Sequence, residues 1–290
     1  MSRAVAAGGA VDGTTADFEG HGPSSRRGLR WWKEVLTALV FYVVYSAIRN
    51  TQGSASVSGT LAFRNARRII RWEELLGLYH EEAVQKAVIG WGRALMSFWN
   101  LFYGTFHFFV TIAVLVVLFR WAPERYRRWR NVLAATTALA LVGFALYPLM
   151  PPRLLPPSYG FVDSLERFGS LWSFDSAAMQ KLSNQYAAMP SLHFAWSFWC
   201  ALALVPVLRR VWARVLLAVY PVLTLFAIVV TGNHFVLDAA GGALAVGGGV
   251  LYASLVARAR PRLPLLRRPV HPGSPGRPTP PDPDPDPAPA

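Results

Sequence analysis

Six stretches of the chain are apolar for about the length of a bilayer crossing, and polar positions gather between them. They cover residues 34–49, 96–119, 131–149, 192–208, 211–230 and 235–257. Each is expected to be a transmembrane helix. The first is short. Arg26, Arg27, Arg30 and Lys33 precede it and Gly-Ser-Ala-Ser follows it, an order that also suits a signal peptide. The stretch before it is long for a signal, so a retained helix is the expectation. The pattern changes between the first two spans. In 50–93, Ile69, Trp72, Leu76 and Tyr79 recur at helical spacing among Arg64, Arg67, Arg68, Arg71, Glu73, Glu74, Glu81 and Glu82. That pattern predicts amphipathic helices lying at the membrane interface; a gate over a lipid site is the sharper alternative for the same segment. The expected fold is all-α: a polytopic membrane protein of six transmembrane helices plus interfacial amphipathic helices.

Both ends differ from this middle. Residues 1–30 are rich in Ala, Gly, Ser and Thr without periodicity, and 259–290 run from basic to a Pro-Asp repeat. Both read as disordered cytoplasmic tails around a membrane domain at 31–258.

Composition sharpens the reading. Of 290 residues, 53% are hydrophobic and 16% charged, against about 25% charged in soluble domains. That excludes a cytosolic enzyme and a disordered chain. A disulfide scaffold is excluded too, because Cys200 is the single cysteine. The net charge of +13 suits nucleic acid or an anionic membrane. Arginines flanking apolar spans favour the bilayer, so no nucleic acid partner is expected, and protein partners are not specified.

Charge also orients the spans. Basic residues before the first span, Arg120, Arg125, Arg127, Arg128 and Arg130 in the 120–130 loop, Arg209, Arg210 and Arg214, and then Arg258, Arg260 and Arg262 all mark a cytoplasmic side. Six spans of a cell-membrane protein with both termini cytoplasmic satisfy them. The 50–93 segment then falls outside despite its arginines.

Three short stretches lie at the outer ends of spans: Tyr147-Pro-Leu-Met-Pro-Pro-Arg153, Met189-Pro-Ser-Leu-His193 and Thr231-Gly-Asn-His-Phe-Val-Leu-Asp238. His234 and Asp238 are one helical turn apart and share a face. A carboxylate near the end of an apolar helix needs a partner. Asp238 would fix the tautomer of His234 and leave its second nitrogen outward, as a base or nucleophile requires; a structural His–Asp helix cap is the alternative. Ser191 and His193 sit at a helix start that attracts phosphate through free N–H groups and the helix dipole; a polar interface histidine is the alternative there. The fourth and sixth spans would aim both N-termini at one outer pocket, with Arg153 and Ser191 completing an anion site. A lipid phosphate fits such a place, with one histidine attacking phosphorus and the other protonating the leaving oxygen, without metal or cofactor.

At these residues the chain resembles the type 2 phosphatidic acid phosphatase superfamily, over roughly residues 34–257. Pro190-Ser191-Leu192-His193 is similar to that family's second motif, Pro-Ser-Gly-His, with Leu for Gly. His234 and Asp238 match the end of its third motif. Ala227-Ile228 replaces the Ser-Arg of that motif, Leu146 stands where the first motif has Lys, and Leu154 replaces its Pro. The combination of Tyr147, Pro151 and Pro152, then Ser-Leu-His-Phe-Ala and Gly-Asn-His-Phe, resembles the inositol phosphorylceramide synthase branch, whose enzymes are inositolphosphotransferases. The resemblance implies a lipid phosphatase or phosphotransferase with His234 as nucleophile, Asp238 as its orienter and His193 as leaving-group acid. It implies that Arg153 and Ser191, with Tyr147 and Asn233 from the same stretches, line the substrate site. A non-catalytic lipid-binding or transport protein keeping the fold is the competing class. A haem or metal protein using His107, His193 and His234 is a third, disfavoured by the scattered depths expected for those residues. His107 is expected to bond a neighbouring helix, His80 to lie on a solvated face, and Gly241, Gly242, Gly247, Gly248 and Gly249 to allow close helix packing.

Overall fold

A computed structural model of the chain describes residues 30–51, 58–169 and 185–259. The two expected tails lie outside the described residues, apart from Arg30 and Ala259. The described helices are α1 (Trp31–Thr51), α2 (Gly59–Leu76), α3 (Glu81–Gly90), α4 (Arg93–Trp121), α5 (Pro123–Leu146), the short α6 (Ser164–Phe168), α7 (Leu192–Leu204), α8 (Val211–Val230) and α9 (Val236–Ala259). No strand occurs among the described residues. The protein is mostly helical.

Among the described residues, four helices are long and apolar enough to cross a membrane: α4, α5, α8 and α9. The fourth expected span is cut short. α7 has 13 residues, about 20 Å at 1.5 Å per residue, where a bilayer core is about 30 Å. Pro206 has no N–H with which to continue the helix. α1 has 21 residues but carries Lys33, Glu34 and Arg49, and is not among the four. The 120–130 loop is also corrected. α4 runs to Trp121 and α5 begins at Pro123, because proline's fixed φ and missing N–H suit the first helical position. Arg125, Arg127, Arg128 and Arg130 therefore lie on the first turns of α5. That helix stops at Leu146 rather than 149, since Pro148 disfavours helical geometry at Tyr147.

The apolar stripe expected on the amphipathic segment is only partly right. α2 buries Ala62, Asn65, Ala66, Ile69, Ile70 and Glu73, while Trp72 and Leu76 are exposed. The small alanines allow close approach, so they make the contact instead of the bulky residues.

The bundle core forms where α4, α5, α7 and α8 meet. Trp199, fully buried, donates from Nε1 to the Trp129 carbonyl at 2.9 Å, among Phe102, Tyr126 and Tyr220. On the flank, Glu34 accepts from Arg130 Nη1 at 2.5 Å and from the Tyr126 hydroxyl at 3.0 Å, tying α1 to α5. α9 lies against α5 and α7 along its glycines. A Cβ on Gly249 would meet the Val132 carbonyl at 2.7 Å, and one on Gly242 the Ser191 carbonyl at 2.6 Å, whereas one on Gly247 meets nothing within 4 Å.

The bundle has two chemically different ends. The turns after α4 and α7 share one, where Arg125 donates to the Ala203 carbonyl at 3.3 Å. The segments 147–169, 185–193 and 231–238 share the other. There Arg153 N donates to the Gly232 carbonyl at 2.8 Å, Leu149 N to Tyr186 at 2.7 Å and Ser191 N to Asp238 at 2.9 Å. The three stretches singled out in the sequence therefore meet.

Gly249→Ala is expected to destabilise by about 1–3 kcal/mol, the range for overpacking against backbone, while Gly247→Ala stays near wild type. Thermal unfolding of the two variants in detergent checks the contrast.

Candidate active site

Buried amides hold the loops of this end in place. Gln85 donates from Nε2 to the carbonyls of Val162 (3.0 Å) and Val230 (3.2 Å) and accepts from Val162 N at 2.9 Å. Asn100 donates to the Ser164 carbonyl at 2.8 Å, and the Ser164 hydroxyl donates to Asn100 and to the Thr231 carbonyl. Asn65 donates to the Pro148 carbonyl at 2.8 Å. These long-range bonds fix the 147–169 loop against α2, α3, α4 and the α8–α9 turn. Gly232 makes that turn at φ +70°, where a Cβ would also strike Gln85 at 2.8 Å.

The start of α9 is capped from three directions. Phe235 N donates to Asp238 Oδ2 (2.9 Å), Val236 N to Glu81 Oε1 (3.1 Å) and Leu237 N to Glu73 Oε1 (2.8 Å). Negative groups suit the positive end of a helix. These three N–H groups are therefore not offered to phosphate, which corrects the expectation that the sixth span would aim free N–H groups at the pocket. Glu73 and Glu81 are fully or nearly fully buried, and their carboxyl groups neighbour each other at this cap.

His234 is buried beside this cap. Its Nδ1 lies 2.9 Å from the Ala188 carbonyl and 3.2 Å from Asp238 Oδ2. A backbone carbonyl only accepts, so Nδ1 carries the hydrogen, and the lone pair of the neutral ring is on Nε2. The His193 ring centroid is 5.6 Å away at 62°. Tyr103 stacks on His193 at 4.1 Å, and His107 meets its edge at 4.3 Å. His107 thus belongs to the site. Its Nδ1 donates to the Tyr103 carbonyl of its own helix at 3.0 Å. The three histidines lie in a row and not at scattered depths; among the described residues no group of three or more His, Cys, Asp and Glu can hold a metal ion.

The other expected site residues are placed as follows. Arg153 donates from Nε to Asn233 Oδ1 at 3.0 Å and pairs with Asp163 at 2.6 Å. Asn233 uses its Nδ2 on Thr231 Oγ1 at 2.9 Å, so its amide aims Arg153 across the His234 turn. Ser191 is fully buried and caps α7, its Oγ accepting from Phe194 N at 3.4 Å. The Tyr147 hydroxyl lies 3.5 Å from the Asn65 carbonyl, beside the cluster around Phe235. The sequence reading missed Tyr103, Glu73, Glu81, Gln85 and Asp163. For Tyr103 a signal was present, since it stands one helical turn before His107.

With this geometry in hand, comparison with known proteins decides the family. Residues 67–252 match the family model of the PAP2 superfamily. The chain belongs to the PAP2 superfamily. No curated protein and no solved structure matches it significantly. The matched region runs from the middle of α2 into α9 and so includes all of the residues just described except Asn65. Superfamily membership points to a membrane enzyme of phosphatase type, with lipid phosphates as its class of substrate. The match reaches the superfamily and not the inositolphosphotransferase branch.

Burial, and then Glu81 beside it, push Glu73 from 4.5 up to about 9. Its proton is held in the folded state where the unfolded chain releases it. Its contribution to stability is therefore complete below about pH 4.5 and lost as pH rises to about 9. Glu73→Gln keeps an acceptor for Leu237 N and a donor for Glu81. It is expected to flatten the fall in thermal midpoint between pH 5 and 9, a comparison made by unfolding both proteins across that range.

Proposed function

We propose that this protein is a lipid phosphotransferase or phosphatase working through a phosphohistidine on His234. The observation that carries the proposal is the pair of neighbouring imidazoles, with His234 Nδ1 tied to Asp238 and Ala188 and the His193 ring centroid 5.6 Å away. Nε2 of His234 attacks phosphorus, an N–P bond forms, and the P–O bond to the leaving group breaks. His193 gives that oxygen a proton. In the second step an alcohol or water attacks the phosphohistidine. His193 takes the proton of the incoming group, and the N–P bond breaks. Asp238 orients His234 and offsets its charge as the bond forms. Tyr103 and His107 hold the plane of the His193 ring. Arg153, aimed by Asn233, receives the phosphate oxygens bidentately, and Ser191 and Tyr147 complete the wall of the site. The scheme needs neither metal nor cofactor.

The reading includes six spans in the cell membrane, with α1 and α7 completing the four long helices. Both termini are then cytoplasmic, at the basic end, and the histidines open to the extracytoplasmic side. Within the superfamily, the Ser-Leu-His-Phe-Ala and Gly-Asn-His-Phe stretches favour transfer of a phospho-headgroup between lipids, in the manner of an inositolphosphotransferase.

Purified protein, incubated with a panel of phospholipids labelled in the phosphate, tests this. Wild type is expected to release free phosphate if water is the acceptor, or to form a new labelled lipid if an alcohol is. His234→Ala is expected to lose at least about 100-fold in turnover, the lower range for removing a catalytic group, while keeping its thermal midpoint. Equal turnover by the variant would end the proposal.

A further inference from the structure

The scheme above leaves the outer face of α2 without a role. Arg64, Arg67, Arg68 and Arg71 recur at i, i+3, i+4 and i+7, so they form one stripe, and all four are exposed. The opposite face is the buried one, with Ala62, Ala66, Ile69 and Glu73. None of the four arginines makes an ion pair among the described residues. One exposed glutamate, Glu74, lies near them on the same helix. Beside the stripe, Trp72, Leu75 and Leu76 are 60%, 74% and 59% exposed. A helix with a basic face flanked by Trp and Leu lies in the headgroup plane of a bilayer. This helix is fixed to the site, through Glu73 to Leu237 N and through Asn65 to the Pro148 carbonyl.

Positive charge is ordinarily depleted on the extracytoplasmic side. A stripe of four arginines there, without an ion pair among the described residues, fits an anionic surface. We propose that the Arg64–Arg71 face of α2 is a docking surface for anionic phospholipid headgroups of the adjoining leaflet, gathering such lipids beside His193 and His234. The inference rests on the proposed function for the side of the membrane and for the use made of the lipid. The docking itself can be read without turnover.

The full chain is placed in phosphatidylcholine nanodiscs carrying a fixed fraction of brominated phosphatidylglycerol or of brominated phosphatidylcholine. Subtracting the quenching seen in Trp72→Phe isolates the signal of Trp72. Each basic residue at a charged surface is worth about fivefold in lipid affinity. A several-fold excess of Trp72 quenching by the brominated phosphatidylglycerol is therefore expected. It should shrink with added salt and vanish when the four arginines are changed to glutamine. These side chains are exposed, and an unchanged thermal midpoint of that variant confirms its fold. Equal quenching by the two lipids, or an excess that survives the glutamine variant, overturns the proposal. So does loss of the excess on adding millimolar inorganic phosphate, which would make the stripe a site for soluble phosphate. His234→Ala should keep the excess. Failure of the docking surface and failure of the phosphohistidine scheme are thus separate results.

Discussion

The first peptide N–H groups of a helix have no partner within that helix, and at the largely buried start of α9 they take acceptors from elsewhere in the chain. Asp238, Glu81 and Glu73 supply the acceptors. Burial and then the neighbouring Glu81 push Glu73 up to about 9, so its carboxyl keeps its proton in the fold. Much else follows from this cap. It joins the α2–α3 hairpin to the helix that carries His234. It also holds Asp238 Oδ2 where the same oxygen faces His234 Nδ1. Capping of a helix and orientation of an imidazole, set apart as alternatives for the His–Asp pair in the sequence, are here one arrangement.

Much of this was legible in the sequence, and what was not has a physical reason. Long apolar runs predicted α4, α5, α8 and α9, because a bilayer demands length and apolarity alike. Spacing alone placed Asp238 one turn after His234, and the topology read from basic residues between the spans brought the three stretches to one end of the bundle. The basic run after Trp121 misled because arginine suits a helix as well as a loop, and one proline was enough to start α5 early. In the sequence Glu73 and Glu81 stand only among the mixed charges of the amphipathic 50–93 segment. Their burial depends on Val236 and Leu237, more than 150 residues away in the chain, and no local pattern reveals such a partner. His107 was set apart for the same reason: the α7 histidine that its ring meets is a long-range neighbour.

The departures from the superfamily motifs also have a structural account. Ala227 and Ile228 stand where Ser-Arg is usual, and both are fully buried. The Ile228 carbonyl accepts from Asn233 N and His234 N, so this position shapes the turn through its backbone and contributes no charge. The cation that does reach the His234 turn is Arg153, which arrives from the 147–169 loop and is anchored there by Gly232 and Asn233.

Arg153 is not idle before substrate arrives, since Asp163 holds its Nη1. Asp163 is committed as well, its other oxygen accepting from Leu165 N and Glu166 N at the start of α6. In the proposed scheme an entering phosphate therefore meets a guanidinium whose direction is already set by Asn233 and whose charge is already shared. Exchanging one anion for another at Arg153 gains little net binding, because the ion pair that forms replaces one that loosens. What the exchange does provide is orientation without the entropy of ordering a long side chain. The strength of attraction must then come from charge that is not yet committed, and on this end of the protein the described residues carry such charge along the exposed face of α2.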